Sequence, residues 1–497
     1  MKVALINPKG TIFSRNKRLA AFLERSVTMG SFRHFWSAPC LGLLVVAAYC
    51  PDEWQLCYID ENQRPVDFGV RYDLVLISAM TVQAKRAYEI ADAFRRTGTP
   101  VVMGGIHATV MPEEALAHVD AVLAGEGEVL FPQLIEDLVH GRLRRLYREE
   151  TPGGFDLAQC RTPRYDLLEG YDYPVVNLYT TRGCPRKCTF CCASNVYGMQ
   201  YRRKSNAQIL REMAWIDQLY PDRLLLFADD NAFVLRRPSK ELLQSMIPMR
   251  LRWIAQTDIS IARDAELLSL MAAAGCQWIV IGFESVSEQS LRTIETGAFK
   301  QSNLARYRES IEIIRSYGIG IYGTFIVGLD ADSDSVFDDT ARFILDNRLY
   351  GANITVPTPL PGTQLRERLL AEGRVLERGW EDYTLWDVVV TPATMTPKRL
   401  EDGLYTVYQS ISAADNANLR LRRMLQETRA RSRSEPGKRG HEQTVMQTHG
   451  PIDTPHKKTI SDLTVGQGNR LTDKPAQSAN AQPQEGAGPP ARGNSDG

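Results

Sequence analysis

The chain has 497 residues, with 59 basic and 59 acidic side chains and 43% hydrophobic residues, which allows two or three globular domains. This composition excludes a disordered or fibrous protein for most of the chain, and the balanced charge gives no long-range attraction toward nucleic acid or an anionic membrane surface. Nine unevenly placed cysteines and an N-terminus without a signal-peptide layout indicate a reduced, cytoplasmic protein. The most apolar early run, 41–49, is far shorter than the roughly 20 residues that span a bilayer, so we expect no transmembrane segment.

The first 140 residues alternate short apolar runs with amphipathic stretches. Helices are predicted over 41–48 and 87–95, and strands over 3–6, 55–59, 74–78, 101–105 and 121–125. Continuous apolar runs separated by helices indicate a parallel sheet that is covered on both faces. We therefore predict an α/β fold that begins with a doubly wound domain over residues 1–145, followed by a linker over 146–170.

A second alternating series begins near residue 175. Its predicted strands are 175–180, 224–227, 253–256, 278–282, 320–327 and 353–356. Six strand–helix units indicate a partial (β/α)6 barrel over residues 171–390, whose chemistry is expected at the carboxyl ends of the strands. A helical segment over 391–426 closes the folded part, and the Gly-, Pro- and Ser-rich segment 427–497, which has no aromatic residue, is predicted to be a disordered tail.

Three cysteines, Cys184, Cys188 and Cys191, follow the first predicted barrel strand in a loop that also contains glycine and proline. Soft thiolates at this spacing can surround one compact iron–sulfur or zinc centre. A structural zinc site needs a fourth ligand, and the chain has no histidine between residues 140 and 441, which also argues against Ser-His, Cys-His and zinc-hydrolase chemistry in the barrel. Three thiolates on a four-iron cluster would instead leave one iron open to a small molecule.

The pattern Cys-x-x-x-Cys-x-Phe-Cys after the first strand of such a barrel resembles the radical S-adenosylmethionine (SAM) superfamily. The resemblance implies that Cys184, Cys188 and Cys191 bind a 4Fe–4S cluster, that SAM binds the open iron, and that one electron splits SAM to a 5′-deoxyadenosyl radical. It also implies that Phe190 packs beside the adenine, and that a flavodoxin or ferredoxin supplies the electron.

Acidic residues end two of the predicted barrel strands. Asp229 and Asp230, followed by Asn231, end the second strand, where members of this superfamily meet the SAM amino group; capping of a helix N-terminus is the alternative. Glu284 ends the 278–282 strand, and by the resemblance it reaches the ribose hydroxyls, again with capping as the alternative.

The stretch 323–328 resembles the superfamily's adenine-binding strand, Gly-x-Ile-x-Gly-x-x-Glu. Ile326 and Gly328 match that pattern, and we expect both to contact SAM. Thr324 stands at the first glycine position and Ala331 at the glutamate position, so those two roles are not carried over.

The N-terminal domain carries glycine-rich turns after three neighbouring predicted strands. Gly104 and Gly105 would let a ligand approach the backbone closely at the edge where open parallel sheets bind ligands, although the spacing is not that of a dinucleotide fingerprint. The order of these turns resembles the cobalamin-binding domain found ahead of many radical SAM barrels, over about residues 1–410. By this resemblance, the cobalamin-binding residues are Ser78, Thr81, Gly104, Gly105, His107, Gly125, Glu126 and Gly127.

The resemblance implies a cobalamin-dependent radical SAM methyltransferase, similar to the hopanoid methylases, which methylates an unactivated carbon of a small-molecule or lipid substrate. The chain has no Asp-x-His-x-x-Gly pattern to supply a histidine ligand to cobalt. No side chain is assigned as a general acid or base. The alternatives are a radical SAM cyclase, rearranging enzyme or 3-amino-3-carboxypropyl transferase with a structural or degenerate N-terminal domain, and a non-catalytic zinc-binding module.

Overall fold

The structure is a computed structural model that describes residues 1–11, 13–26, 29, 37–193 and 198–412. These residues belong to one compact unit, Met1–Pro436. The second unit, Gly437–Gly497, lies outside the described residues. So do the predicted tail over 427–497 and the part of the predicted helical segment beyond residue 412.

The first sheet has six parallel strands in the order β2-β1-β3-β4-β5-β6. The strands are β1 (Lys2–Asn7), β2 (Gln55–Asp60), β3 (Leu74–Ser78), β4 (Val101–Gly104), β5 (Ala121–Ala124) and β6 (Leu146–Arg148). The helices are α1 (Lys17–Arg25), α2 (Leu41–Ala47), α3 (Ala84–Arg96), α4 (Gly105–Val110), α5 (Pro112–Ala115) and α6 (Gly127–Val139). Alternate residues of β1 and β3 enter two separate apolar clusters, so both faces are buried and the doubly wound prediction is confirmed.

The second sheet also has six parallel strands, but they follow each other in chain order. The strands are β7 (Val175–Leu178), β10 (Leu224–Phe227), β11 (Trp253–Thr257), β12 (Cys276–Glu284), β13 (Gly320–Ile326) and β14 (Gly351–Thr355). Between β7 and β10 the chain forms a short antiparallel pair, β8 (Thr181–Arg182) with β9 (Arg202–Arg203). The two outer strands, β7 and β14, are not paired with each other, as predicted for a partial barrel.

Helices alternate with the barrel strands. They are α7 (Asn206–Leu219), α8 (Arg236–Met246), α9 (Ala265–Ala273), α10 (Glu288–Ile294), α11 (Phe299–Asn303), α12 (Tyr307–Ser316), α13 (Val336–Asp346), α14 (Gln364–Ala371) and α15 (Pro397–Ser412). Helix α15 buries Leu404 and Val407, and its Tyr408 hydroxyl accepts a hydrogen bond from Ile354 N of β14 at 2.9 Å. Among the described residues, none of the helices is both long and apolar enough to cross a membrane.

Candidate active site at the carboxyl ends of two parallel sheets

The three motif cysteines lie, partly exposed, in the loop between β8 and β9. Main-chain hydrogen bonds hold this loop against the barrel: Thr189 N donates to Ile294 O at 2.9 Å, and Leu365 N donates to Thr189 O at 3.0 Å. Cys188 also forms an isolated β-bridge with Glu295. The loop is therefore bonded to α10, which follows β12, and to α14, which follows β14. These contacts keep its cysteines at the mouth of the barrel.

Asp229 and Asp230 hold the start of the cysteine loop. Asp229 is buried, and its two oxygens accept hydrogen bonds from Thr180 N at 2.7 Å, Thr181 N at 2.9 Å and the Thr180 hydroxyl. Asp230 accepts from Gly183 N at 3.1 Å. Burial raises the pKa of both carboxyls, and that of Asp230 to about 6. Both oxygens of Asp229 thus bond within the fold, whereas Asp230 remains half-buried beside the cysteine loop.

The donor set of the loop suits an iron–sulfur cluster with an open iron, because it offers three soft thiolates. Burial raises the pKa of Cys184, and raises that of Cys188 to about 12. The metal-free thiols of Cys184 and Cys188 are therefore protonated at neutral pH, and iron would bind with release of their protons. Over the described part of the chain, no three His, Cys, Asp or Glu side chains are grouped so that they could hold a metal ion.

Glu284 forms a buried ion pair with Lys300 of α11. Lys300 Nζ donates to Glu284 Oε1 at 3.0 Å and to Gly282 O at 2.6 Å. Burial disfavours the charged ammonium, but its acidic neighbours, Glu284 first among them, together outweigh burial and raise the pKa of Lys300. Glu284 has a positive φ of 63°, next to a shift of strand register after Gly282. Sequence reasoning missed Lys300, since a lysine in a short helix gives no local signal that it reaches back to the strand.

Phe190 packs against an apolar cluster to which Ile326 belongs, and the contact of both residues with adenine stays a prediction. The buried members of the cluster are Leu291, Ile294, Ile326 and Leu329. Gly328 has a φ of 91°, and its N–H donates to Asp332 Oδ2 at 2.9 Å. Asp332 is buried and follows Ala331 directly, so a carboxylate one residue later stabilises the glycine turn where the superfamily pattern has its glutamate.

A cavity lies between α2, α6 and the carboxyl half of the first sheet. Six of the eight predicted cobalamin-binding residues line it: Ser78, Gly104, Gly105, Gly125, Glu126 and Gly127. Apolar side chains of both helices and the sheet complete the wall, among them Leu43, Val46, Leu76 and Phe131. Backbone and apolar surface therefore make up most of the cavity wall, beside the charged side chains of Glu126, Glu128 and Arg182.

The other two predicted cobalamin residues, Thr81 and His107, do not line this cavity. His107 is fully buried, with its Nε2 2.9 Å from the Tyr88 hydroxyl and its Nδ1 3.4 Å from Thr81 Oγ1. Glu114 accepts hydrogen bonds from the Tyr88 hydroxyl at 3.1 Å and from Trp380 Nε1 at 2.7 Å. The structure therefore places His107 in a hydrogen-bonded cluster between the first sheet and the segment after the barrel.

Four buried charges join the cavity to the cysteine loop. Arg182, just ahead of the loop, donates to Glu126 at 2.8 Å and to Glu128 at 2.6 Å, and Arg202 donates to Glu126 at 2.7 Å. All four side chains are at most 7% exposed. Arg182 and Tyr179 also line the cavity. The pair β8–β9, which carries the cysteine loop, is thus fixed to the glycine-rich turn after β5. Sequence reasoning did not single out Arg182. The only available signal was a charged side chain in the run 181–183, directly ahead of Cys184.

Two family models match these two regions of the chain. The B12 binding domain matches residues 37–135, and the radical SAM superfamily matches residues 178–344. The first match spans the cavity-lining turns, and the second begins at the last residue of β7 and spans the cysteine loop and strands β10 to β13 of the second sheet.

Known methyltransferases are similar to this protein over most of the chain. The bacteriochlorophyllide d C-12(1)-methyltransferase of Chlorobaculum tepidum is 28% identical over 75% of this chain and 82% of its own, and the hopanoid C-2 methylase of Rhodopseudomonas palustris is 29% identical over 72% and 71%. The structure of the radical SAM methyltransferase TsrM from Kitasatospora setae, solved with cobalamin and a 4Fe–4S cluster bound, shares the fold with a TM-score of 0.57 at 16% identity, over 81% of this chain and 84% of that one. The chain thus combines a B12 binding domain with a radical SAM domain, and its homologues include hopanoid and bacteriochlorophyllide methyltransferases.

Proposed function

We propose that this protein transfers a methyl group to an unactivated carbon of a small, largely apolar substrate such as a tetrapyrrole or a polycyclic lipid. One observation carries the proposal: the cavity of the B12 binding domain reaches Arg182, which directly precedes the cysteine loop. A methyl carrier and a radical generator would then act at adjoining sites. The two relatives that support the substrate class are named for methylating a bacteriochlorophyllide and a hopanoid.

The residues of this chain would divide the work as follows. Cys184, Cys188 and Cys191 would hold the cluster, whose chemistry is to supply the electron that splits SAM, while cobalamin in the cavity would carry the methyl group. Phe190 and Ile326 offer the apolar surface for the adenine. Their packing would orient the ribose toward the barrel mouth and exclude water from the radical, as catalysis through a reactive intermediate requires.

Asp230 and Glu284 are the acidic groups proposed to meet the polar parts of SAM. Asp230 lies at the end of the second strand beside Gly183, with a pKa of about 6 that the cationic amino group of SAM would lower. Glu284 is ion-paired with Lys300, so a ribose hydroxyl would bind to a carboxylate that is already held in place. Asp229 serves the fold, because its oxygens bond to Thr180 in the turn after β7 and to Thr181 at the start of β8.

The decisive experiment follows both halves of SAM. Anaerobic protein loaded with iron, sulfide and cobalamin is incubated with methyl-deuterated SAM, a low-potential reductant or a flavodoxin or ferredoxin, and either a bacteriochlorophyllide or a hopanoid. The proposal expects S-adenosylhomocysteine and 5′-deoxyadenosine in comparable amounts, with deuterium in the product. The Cys188→Ala variant is the matched control and should form no 5′-deoxyadenosine.

Two other product patterns would contradict methyl transfer while leaving the radical SAM assignment intact. Formation of 5′-deoxyadenosine alone, with an unlabelled product, would indicate a cyclase or a rearrangement. Formation of 5′-methylthioadenosine would indicate transfer of the 3-amino-3-carboxypropyl arm.

A further inference from the structure

We infer that Asn231 is a positioning residue for the iron–sulfur centre, whose side-chain amide donates a hydrogen bond to Cys184 Sγ and so stabilises the reduced state of the centre. The Nδ2···Sγ distance is 3.8 Å, and Asn231 is 3% exposed. This inference rests on the cluster assignment of the proposed function. It concerns the electronic properties of the centre rather than its ligands.

The neighbours of Asn231 fix which end of its amide faces the sulfur. Asn231 Oδ1 accepts a hydrogen bond from Asp258 N at 3.1 Å, and a backbone N–H can only donate. The amide nitrogen must therefore point the other way, where it has two hydrogens to give. One goes to Asp258 Oδ2 at 2.9 Å and the other to Cys184 Sγ.

Asp258 is itself held by the cysteine loop. Its Oδ2 accepts from Arg186 Nη2 at 2.8 Å, and its Oδ1 accepts from Ser260 N at 2.9 Å. The Arg186 guanidinium stacks on the Phe299 ring at 3.3 Å from its centroid. Arg186 stands two residues after Cys184, so the chain of contacts from Arg186 through Asp258 and Asn231 begins and ends on the same loop. The amide is therefore preorganised before any iron binds.

Hydrogen bonds to the sulfur ligands are one of the ways in which a protein sets the potential of an iron–sulfur cluster. An N–H donor stabilises the more negative, reduced centre, and it does so strongly in a site closed to water. The same end of β10 also carries the carboxyls of Asp229 and Asp230. An amide at position 231 thus adds a donor where a third carboxyl would repel the thiolate.

The test measures the midpoint potential of the reconstituted cluster in the full-length protein by anaerobic redox titration followed by EPR. Asn231→Leu removes the donor without adding charge, and Asn231→Asp keeps the acceptor for Asp258 N but removes the donor. Both variants should reduce less readily, with a reduction equilibrium lowered roughly tenfold, which is about 59 mV for one electron. Asn347→Asp places the same substitution at a buried residue after α13, at the amino end of β14, and should leave the potential unchanged.

Each outcome separates the inference from the cluster assignment. A wild-type protein that holds no iron–sulfur cluster would overturn the assignment and the inference together. An unchanged potential in both Asn231 variants, or a shift in Asn231→Asp alone, would overturn the hydrogen bond and leave the assignment standing. If both variants fail to load iron, the wild-type protein labelled with 15N-asparagine decides: its reduced cluster should show a nitrogen hyperfine coupling in pulsed EPR, and absence of that coupling would overturn the inference.

Discussion

The proposed ligand sites at the carboxyl ends of the two sheets are lined by different kinds of chemical groups. Around the cavity of the first sheet stand five glycines, together with apolar side chains and the ion-paired Glu126, Glu128 and Arg182. At the mouth of the barrel stand charged and amide side chains with hydrogen-bond partners of their own: Asp229 and Asp230 accept from main-chain N–H groups, Asn231 donates to Asp258, and Glu284 pairs with Lys300. A site built from backbone is damaged when a side chain is added, and a site built from side chains is damaged when one is removed.

The cavity glycines themselves fall into two groups. A Cβ at Gly105, where φ is 86°, would lie 2.7 Å from Ser78 Oγ and 2.9 Å from Ala79 N, and a Cβ at Gly125 would lie 2.6 Å from Glu149 Cβ. These glycines are needed by the fold, whatever binds in the cavity. At Gly42 and Gly104 the nearest atoms to a Cβ are 3.8 and 3.7 Å away, so only these two allow the cavity to be tested without strain.

The largest expected effect is the loss of one thiolate at the barrel mouth. Cys188→Ala should abolish the cluster's visible absorbance and SAM cleavage, because an iron that loses its protein ligand is not retained. Cys192→Ala is the matched control: this neighbouring thiol is likewise partly exposed, burial raises its pKa to about 12, and it is not part of the motif. A cluster that survives in Cys188→Ala would overturn the assignment of the three ligands.

Breaking the ion pair between Glu284 and Lys300 should have the next largest effect. Lys300→Met leaves a buried carboxylate without its partner, which costs about 3–5 kcal/mol of the free energy of unfolding. Anaerobic urea unfolding measures this loss. The double variant Lys300→Met with Glu284→Gln should recover most of it, because no buried charge then lacks a partner. Equal losses in the single and double variants would mean that Lys300 stabilises the fold through packing alone.

Replacing Asp230 should have a smaller effect on the free energy of unfolding. This effect depends on pH and is stabilising, whereas Lys300→Met is destabilising. The Asp230 pKa of about 6, raised above the ordinary 3.8 chiefly by burial, means that the ionised form destabilises the folded protein by up to about 3 kcal/mol. Wild-type stability should therefore fall as the pH rises from about 4 to about 6. Asp230→Asn should be the more stable protein at pH 7.5, and the difference should vanish below about pH 4. Unfolding midpoints that differ equally at all pH values would contradict this.

The two sheets were predictable because their strands are continuous apolar runs: β3 and β10 match the predicted 74–78 and 224–227 residue for residue. Two pieces of the fold gave no such signal. β6 (Leu146–Arg148), at the sheet edge, is three residues long, half-exposed and within the predicted linker, and β8–β9 pairs only two residues on each side. Segments of two or three residues are too short to show a periodic pattern of apolar residues, so neither could be predicted from sequence.

The cysteine loop could be read from sequence because its spacing is local, whereas the groups that hold it are not. Arg182 meets Glu126 and Glu128 across 56 and 54 residues, and Asn231 meets Cys184 across 47. Such pairs exist only after the strands have been placed side by side. The same limit explains His107, which the glycine-rich pattern associated with the cavity but which packs with Tyr88 instead.

The smallest expected effect tests the other half of the comparison, the addition of a side chain at the first sheet. Gly104 has an extended backbone with φ of −130°, so alanine is accepted there without strain, and its methyl group would enter the wall of the cavity. Overpacking by one methyl group costs about 1–3 kcal/mol, so Gly104→Ala should bind cobalamin roughly tenfold more weakly in equilibrium dialysis, with an unchanged free energy of unfolding. Ser78→Ala, a deletion at the same edge, removes a predicted side-chain contact with cobalamin and should weaken binding less than Gly104→Ala does. Weaker binding in Ser78→Ala with normal binding in Gly104→Ala would show that the first sheet, like the barrel, holds its ligand through side chains.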